Sequence, residues 1–250
     1  FNTTGNYNTL IGYESNYGVS NDNISNVTSM GYHCLKTNKG DSNTAVGYAA
    51  GYSNTTATGI TLLGYKAGYY NTIGDHNTLI GYESNYGESG DDISSVTSIG
   101  YQCLRNNKGV SNTAIGCQAA FQNTTGVYNT ILGHKAGYEN TTGDHNVFIG
   151  FQSNYGSTGD TDINYITSIG YECLRNNRGD SNTAVGYQAG YSNTIATGIT
   201  LLGYKAGYYN TSGNNNTLIG YESNYGESGD AISNVTSVGY QCLRTNKGNS

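Results

Sequence analysis

The sequence points to an all-β chain wound as a parallel β-solenoid, and three observations carry that expectation. A short unit, Asn/Ser-Thr-x-aliphatic-Gly-Tyr-x-small, recurs along all 250 residues. Its Thr, aliphatic and Tyr positions alternate with a period of two, the spacing of a strand and not of a helix. Between the units lie stretches rich in Gly, Asn, Ser and Asp, which punctuate a chain with turns.

The unit reads Asn8-Thr9-Leu10-Ile11-Gly12-Tyr13-Glu14-Ser15, then Asn43-Thr44-Ala45-Val46-Gly47-Tyr48-Ala49-Ala50, and so on to the end. Its glycines are Gly12, Gly31, Gly47, Gly64, Gly81, Gly100, Gly116, Gly133, Gly150, Gly170, Gly186, Gly203, Gly220 and Gly239. The intervals run 19 (20 between Gly150 and Gly170), 16, 17 and 17 and then begin again, so four coils make a super-repeat of about 69 residues. Self-similarity at a fixed period is the mark of an architecture in which each repeat packs on its neighbours. The super-repeats span approximately 8–76, 77–145, 146–215 and, in part, 216–250. We read residues 1–250 as one continuous repeat region of about 14 coils of 16–20 residues, cut from a longer chain because Phe1 opens inside a repeat.

The residue before each glycine is aliphatic or Met: Ile11, Met30, Val46, Leu63, Ile80, Ile99, Ile115, Leu132, Ile149, Ile169, Val185, Leu202, Ile219 and Val238. This unbroken column is the expected buried core. The Thr three residues before Gly is replaced only by Val147, and the Tyr after Gly only by Cys117, His134 and Phe151. The glycines, among them Gly12, Gly31, Gly47, Gly64, Gly81, Gly100, Gly116 and Gly133, suit a corner with unusual dihedrals. Strand, corner, strand and turn would complete one coil. Coils stacked in parallel advance about 4.8 Å each, for a rod on the order of 65 Å.

Charge supports the same register. All eleven basic residues fall at three places in the super-repeat: Lys36, Arg105, Arg175 and Arg244; Lys39, Lys108, Arg178 and Lys247; Lys66, Lys135 and Lys205. Lys66 and Glu83 hold one slot on successive coils, as do Lys205 and Glu222, so outward ion pairs are expected between them.

Composition narrows the class. There are 37 Gly, 25 Tyr, no Pro and no Trp, and 11% of residues are charged where a typical domain has roughly 25%. A thin core with backbone-dominated stabilisation fits. The net charge of −6, with no basic run, argues against nucleic acid. No apolar run approaches the roughly 20 residues that cross a bilayer, so no membrane contact is expected from this segment.

The run Ser42-Asn43-Thr44-Ala45-Val46-Gly47-Tyr48-Ala49-Ala50, and its like from Ser181 to Ala189, resembles the YadA-like head repeats of trimeric autotransporter adhesins and related bacterial and phage fibre repeats. The resemblance covers nearly the whole chain, through the short core motif only. It implies a left-handed β-roll, a homotrimer and an outer-surface location. Ordinary crossover preference favours the opposite hand. The coils here are longer than the family's, and Tyr stands where small residues are usual.

Residues that carry chemistry are few. Cys34, Cys103, Cys173 and Cys242 recur every fourth coil, where Ser or Ala otherwise stands, and read as small buried residues. An interchain bridge stays open as the alternative; disulfides within the chain do not, because equivalents lie roughly 19 Å apart along the axis. Cys117 stands apart, in the Tyr column. His33, His76, His134 and His145 occupy slots that other residues fill elsewhere, so no catalytic unit is read and no enzyme is expected. Neither metal nor cofactor is implied. The acidic loops 90–92 and 160–162 lack the spacing of a calcium site. Sequons at Asn2, Asn23, Asn26, Asn54, Asn123, Asn140, Asn210 and Asn234 are candidate N-glycosylation sites. Stacked Thr suggests an ice-binding comparison, but the doubled, flat Thr array that needs is lacking. Tyr columns, if open, would offer ring faces to sugars.

These readings converge on a structural or adhesive extracellular fibre or stalk segment at a cell surface, with a host-surface or glycan receptor and a homo-oligomeric or filamentous state. The alternatives are a phage tail-fibre shaft on a virion and a self-assembled glycosylated matrix filament.

Overall fold

In the computed structural model the described residues are 5–18, 23–88, 93–156, 162–227 and 231–245. The chain is an all-β parallel β-solenoid. Among the described residues fourteen strands form one parallel sheet in simple chain order. Two compact units make it up, Phe1–Val127 and Tyr128–Ser250.

The first unit holds β1 (Thr9–Ile11), β2 (Thr28–Met30), β3 (Thr44–Val46), β4 (Thr61–Leu63), β5 (Thr78–Ile80), β6 (Thr97–Ile99) and β7 (Thr113–Ile115). Like meets like: Thr9 faces Thr28, Thr28 faces Thr44, and Ile11, Met30 and Val46 follow in line. The second unit repeats the plan with β8 (Thr130–Leu132), β9 (Val147–Ile149), β10 (Thr167–Ile169), β11 (Thr183–Val185), β12 (Thr200–Leu202), β13 (Thr217–Ile219) and β14 (Thr236–Val238). There Val147 takes the Thr place, opposite Thr130 and Thr167.

Among the described residues each coil has one strand of three residues, not the two expected. The reason lies just after the strand. The motif glycines have φ between +125° and +145°, which L side chains rarely adopt. A Cβ on Gly12 would run into the carbonyl oxygen of Gly31, and one on Gly47 into that of Gly64. Past this corner the second and fourth residues again take positive φ, as in Glu14 (49°) and Asn16 (44°), so no second strand can extend. The backbone groups are satisfied between coils instead. His33 N donates to Tyr13 O at 2.9 Å and Lys66 N to Tyr48 O at 2.9 Å; in the second unit Glu172 N donates to Phe151 O at 2.8 Å.

The expected core column is on the wrong face. Ile11, Met30, Leu63, Ile115, Leu132, Leu202 and Val238 are exposed, and Val46, Ile80, Ile99, Ile149, Ile169, Val185 and Ile219 are half-buried. Because strand side chains alternate, the central strand residue points inward instead. Ser29, Ala45, Leu62, Leu79, Ser98 and Ala114 line the interior of the first unit, and Ile131, Phe148, Ser168, Ala184, Leu201 and Leu218 that of the second. This interior column varies in size because it packs against the turn half of the coil. Gly51 leaves room that Leu62 and Leu35 methyls fill; Gly68 does the same for Leu79 and Leu62. Large sits over small, as close packing requires.

Four residues before each motif Gly stands Asn, Ile or Val, with Asn the commonest. Apart from the half-buried Asn8 these asparagines are buried, and they act as rivets. Asn43 Nδ2 donates to Ala57 O at 2.7 Å, and its Oδ1 accepts from Ile60 N at 3.1 Å. Asn182 repeats the pair with Ala196 O (2.7 Å) and Ile199 N (3.1 Å). A buried amide bonded on both sides joins one coil to the next without leaving a polar group orphaned.

Candidate interaction surface

The outward face carries three parallel columns in each unit: Thr, then the aliphatic residue, then Tyr beyond the glycine corner. Strand alternation puts the first two on one side, and the corner brings the third alongside. Leu63 is 47% exposed and Ile11 54%; in the second unit Leu202 is 47% exposed and Val238 62%. In the first unit these columns carry no ionisable group other than the tyrosine phenols and the Cys117 thiol. His134 is the one histidine the second unit adds.

The Tyr column is a ladder of stacked rings. Tyr13, Tyr32, Tyr48, Tyr65, Tyr82 and Tyr101 follow at centroid separations of 5.2, 5.2, 5.3, 4.9 and 5.3 Å, with interplanar angles of 8–16°. In the second unit His134, Phe151, Tyr171, Tyr187, Tyr204, Tyr221 and Tyr240 continue the pattern at 4.8–5.2 Å. Stacked pairs contribute roughly 0.5–1.5 kcal/mol each beyond burial. Ring faces point along the stack and cover one another, so the ladder presents ring edges to solvent.

A second column stands five residues after each glycine, and it mixes rings with cations. Tyr52, Tyr69 and Tyr86 stack at 4.9 and 5.3 Å. On the next coil the Arg105 guanidinium takes the slot, 5.3 Å from the Tyr86 centroid and 5.9 Å from Phe121. Arg175 stands likewise between Tyr155 (5.2 Å) and Tyr191 (5.8 Å). A flat guanidinium suits a stack of rings. The signal was in the sequence, since Lys36, Arg105, Arg175 and Arg244 share the slot of these tyrosines.

The expected ion pairs are rearranged. Glu83 accepts from Arg105 Nε at 3.0 Å, and Glu222 pairs with Arg244 Nε at 3.1 Å. Lys66 lies instead over Tyr65 and Tyr69, 5.3 Å from each, and Lys205 over Tyr204 and Tyr208 at 5.4 and 5.3 Å. Burial pushes the Glu83 carboxyl up, but hydrogen bonds from Gln102 and Arg105 outweigh it and hold the group below its ordinary range. Burial, with Tyr191 and Tyr209 nearby, raises the Tyr208 phenol to about 12.

Cys34, Cys103 and Cys173 are buried, Cys242 is partly so, and Cys117 is exposed; all five are free thiols. Burial pushes the Cys103 and Cys173 thiols up to about 12, the state of an inert sulfhydryl. Among the described residues no group of three or more His, Cys, Asp or Glu is placed to hold a metal ion. No helix among them is long and apolar enough to cross a membrane.

The sequons divide. Asn54, Asn123, Asn140 and Asn210 are buried, with Nδ2 turned inward to Asn38 Oδ1, Gly126 O, Gly143 O and Gly213 O. That nitrogen cannot carry a glycan, so these four candidates are withdrawn. Asn23, Asn26 and Asn234 are exposed. Asn2 lies outside the described residues, as do acidic loop positions 90–92, 160 and 161. No family model, curated protein or solved structure matches the chain.

Proposed function

We propose that this chain is a segment of an extracellular structural or adhesive fibre, non-catalytic, whose copies associate through the Thr–aliphatic–Tyr face. The observation that carries this reading is the outward aliphatic column, repeated in register on every strand of both units. A solenoid coil is stable by stacking on its neighbours, so burial does not require an aliphatic residue on the outer face. An uninterrupted uncharged strip there is chemistry suited to an interface. Three copies around a common axis, as the resemblance to the adhesin head repeats implies, would cover it.

The test is assembly state. Light scattering and sedimentation across a concentration series should give an oligomer for the natural chain, and Leu63→Lys with Leu202→Lys should shift it to monomer with strand content retained. A natural chain that stays monodisperse and monomeric throughout would overturn the reading.

A further inference from the structure

We infer that each super-repeat encloses one internal hydration site, where trapped water binds the amide of Asn16, Asn85, Asn154 or Asn224. These four residues hold one place, the fourth after the motif glycine of the longest coil, at intervals of 69, 69 and 70 residues. Asn85 is 1% exposed and Asn154 0%, yet among the described residues neither Nδ2 nor Oδ1 of either reaches a protein partner. Asn16 is the same, and Asn224 leaves its Oδ1 unpaired.

Backbone conformation does not force the choice of Asn. Asn85 has φ 43° and Asn154 φ 44°, in the left-handed region where Asn is favoured. One coil later Leu104 and Leu174 occupy the same column at φ 49° and 46°, and Ala120 does so at 49°. An Asn chosen only for its backbone would normally bond it locally, and these do not.

Among the described residues the column offers the amide nothing. Its neighbours are Gly68 and Leu104 for Asn85, and Gly137 and Leu174 for Asn154. The adjacent Ser84 hydroxyl is committed to Ser98, at 2.8 Å to its carbonyl oxygen, and the Ser98 hydroxyl to Cys103 O at 2.9 Å. Further orphan acceptors, Asn71 Oδ1 and Asn140 Oδ1, are buried one coil earlier. A primary amide has two N–H donors and two acceptor lone pairs. Buried groups left in that state are satisfied by ordered water making about three hydrogen bonds. The ligand is water because the amide needs donors and acceptors at once and carries no charge to select an ion.

The experiment is an electron-density or cryo-electron map of the natural chain fine enough to show water. Asn85→Leu and Asn154→Leu, side chains the column already accepts at Leu104 and Leu174, serve as the comparison. Solvent peaks are expected within about 3.2 Å of each amide, lost only at the substituted coil. In solution, the Asn Nδ2 protons should show cross-relaxation with long-lived water. Amides bonded to protein groups with no solvent peak would overturn the inference, and so would a peak with the short, multiple oxygen contacts of a cation. The natural-chain map decides even if a variant fails to fold.

Discussion

Leu62 and Leu63 are consecutive residues of one three-residue strand, and their surroundings are opposite. Leu62 is sealed among Leu35, Gly51 and Gly68, while Leu63 is nearly half open to solvent. The inner face is built by fitting unlike sizes together, the outer face by lining up like residues. Uniformity along the axis therefore marks the surface, and variation marks the core. The second unit teaches the same lesson with Phe148, wholly buried, beside the half-buried Ile149.

The most severe way to break the contrast is at the corner that separates the two faces. Gly47→Ala should cost at least ~3 kcal/mol, the upper end of backbone strain alone, because its Cβ meets the Gly64 carbonyl. Thermal and urea melts followed by circular dichroism would measure it; a loss below 1 kcal/mol would show that the corner can relax. Next, Phe148→Ala should cost about 3–5 kcal/mol and Leu62→Ala about 2–5 kcal/mol. Leu63→Ala, judged at concentrations where the chain is monomeric, should stay within about 0.5 kcal/mol. Equal costs for Leu62 and Leu63 would remove the distinction between the faces.

Thiol chemistry sharpens the comparison without touching packing. Cys117 should react with a disulfide reagent in the native chain, whereas Cys103 and Cys173 should wait for unfolding. Their thiols, raised to about 12, also give a pH signature. Stability from the neutral buried thiols is complete below the unfolded value of ~8.5 and is lost as pH rises toward the folded value. Rapid labelling of all five cysteines in the native state would contradict this.

Smallest is the ion pair on the outer side of the turns. Arg105→Gln should cost about 0–1 kcal/mol, less at high salt. The Glu83 carboxyl, held below its ordinary range, contributes stability above the unfolded value near ~4.3. That contribution is lost as pH falls through the lowered folded value. An acid titration of melting temperature, natural chain against Glu83→Gln, reads it.

The coil, its register and the axial stacking were legible in sequence, because one strong motif spaced at 16–20 residues leaves little other topology. Which strand face is inside was not. A strand of three residues offers only one inward position, here occupied by Leu, Ile, Ser, Ala or Phe, and no single hydrophobic residue recurs there coil after coil to announce it. The outward column of Ile, Leu, Val and Met looks like a core because it is continuous. The aromatic slot of Arg105 was visible in the numbering, but its guanidinium looked like a surface charge until stacking placed it between rings. The buried sequons misled for a related reason. Asn followed by Thr looks like a surface loop, yet Asn54 and Asn123 serve as interior bonds between coils.

The nesting of Leu62 over Gly51 has a consequence for how such a chain can change length. Inner residues cycle through Leu or Phe, Ser, Ala, and Leu or Ile, while the opposite positions cycle through Asn, Leu, Gly or Ala, and Gly. Deleting one coil would bring mismatched partners together, whereas deleting four restores every fit. Growth or shortening by recombination is therefore quantised: the gene can gain or lose whole blocks of about 69 codons, and intermediate products should fold poorly and be discarded.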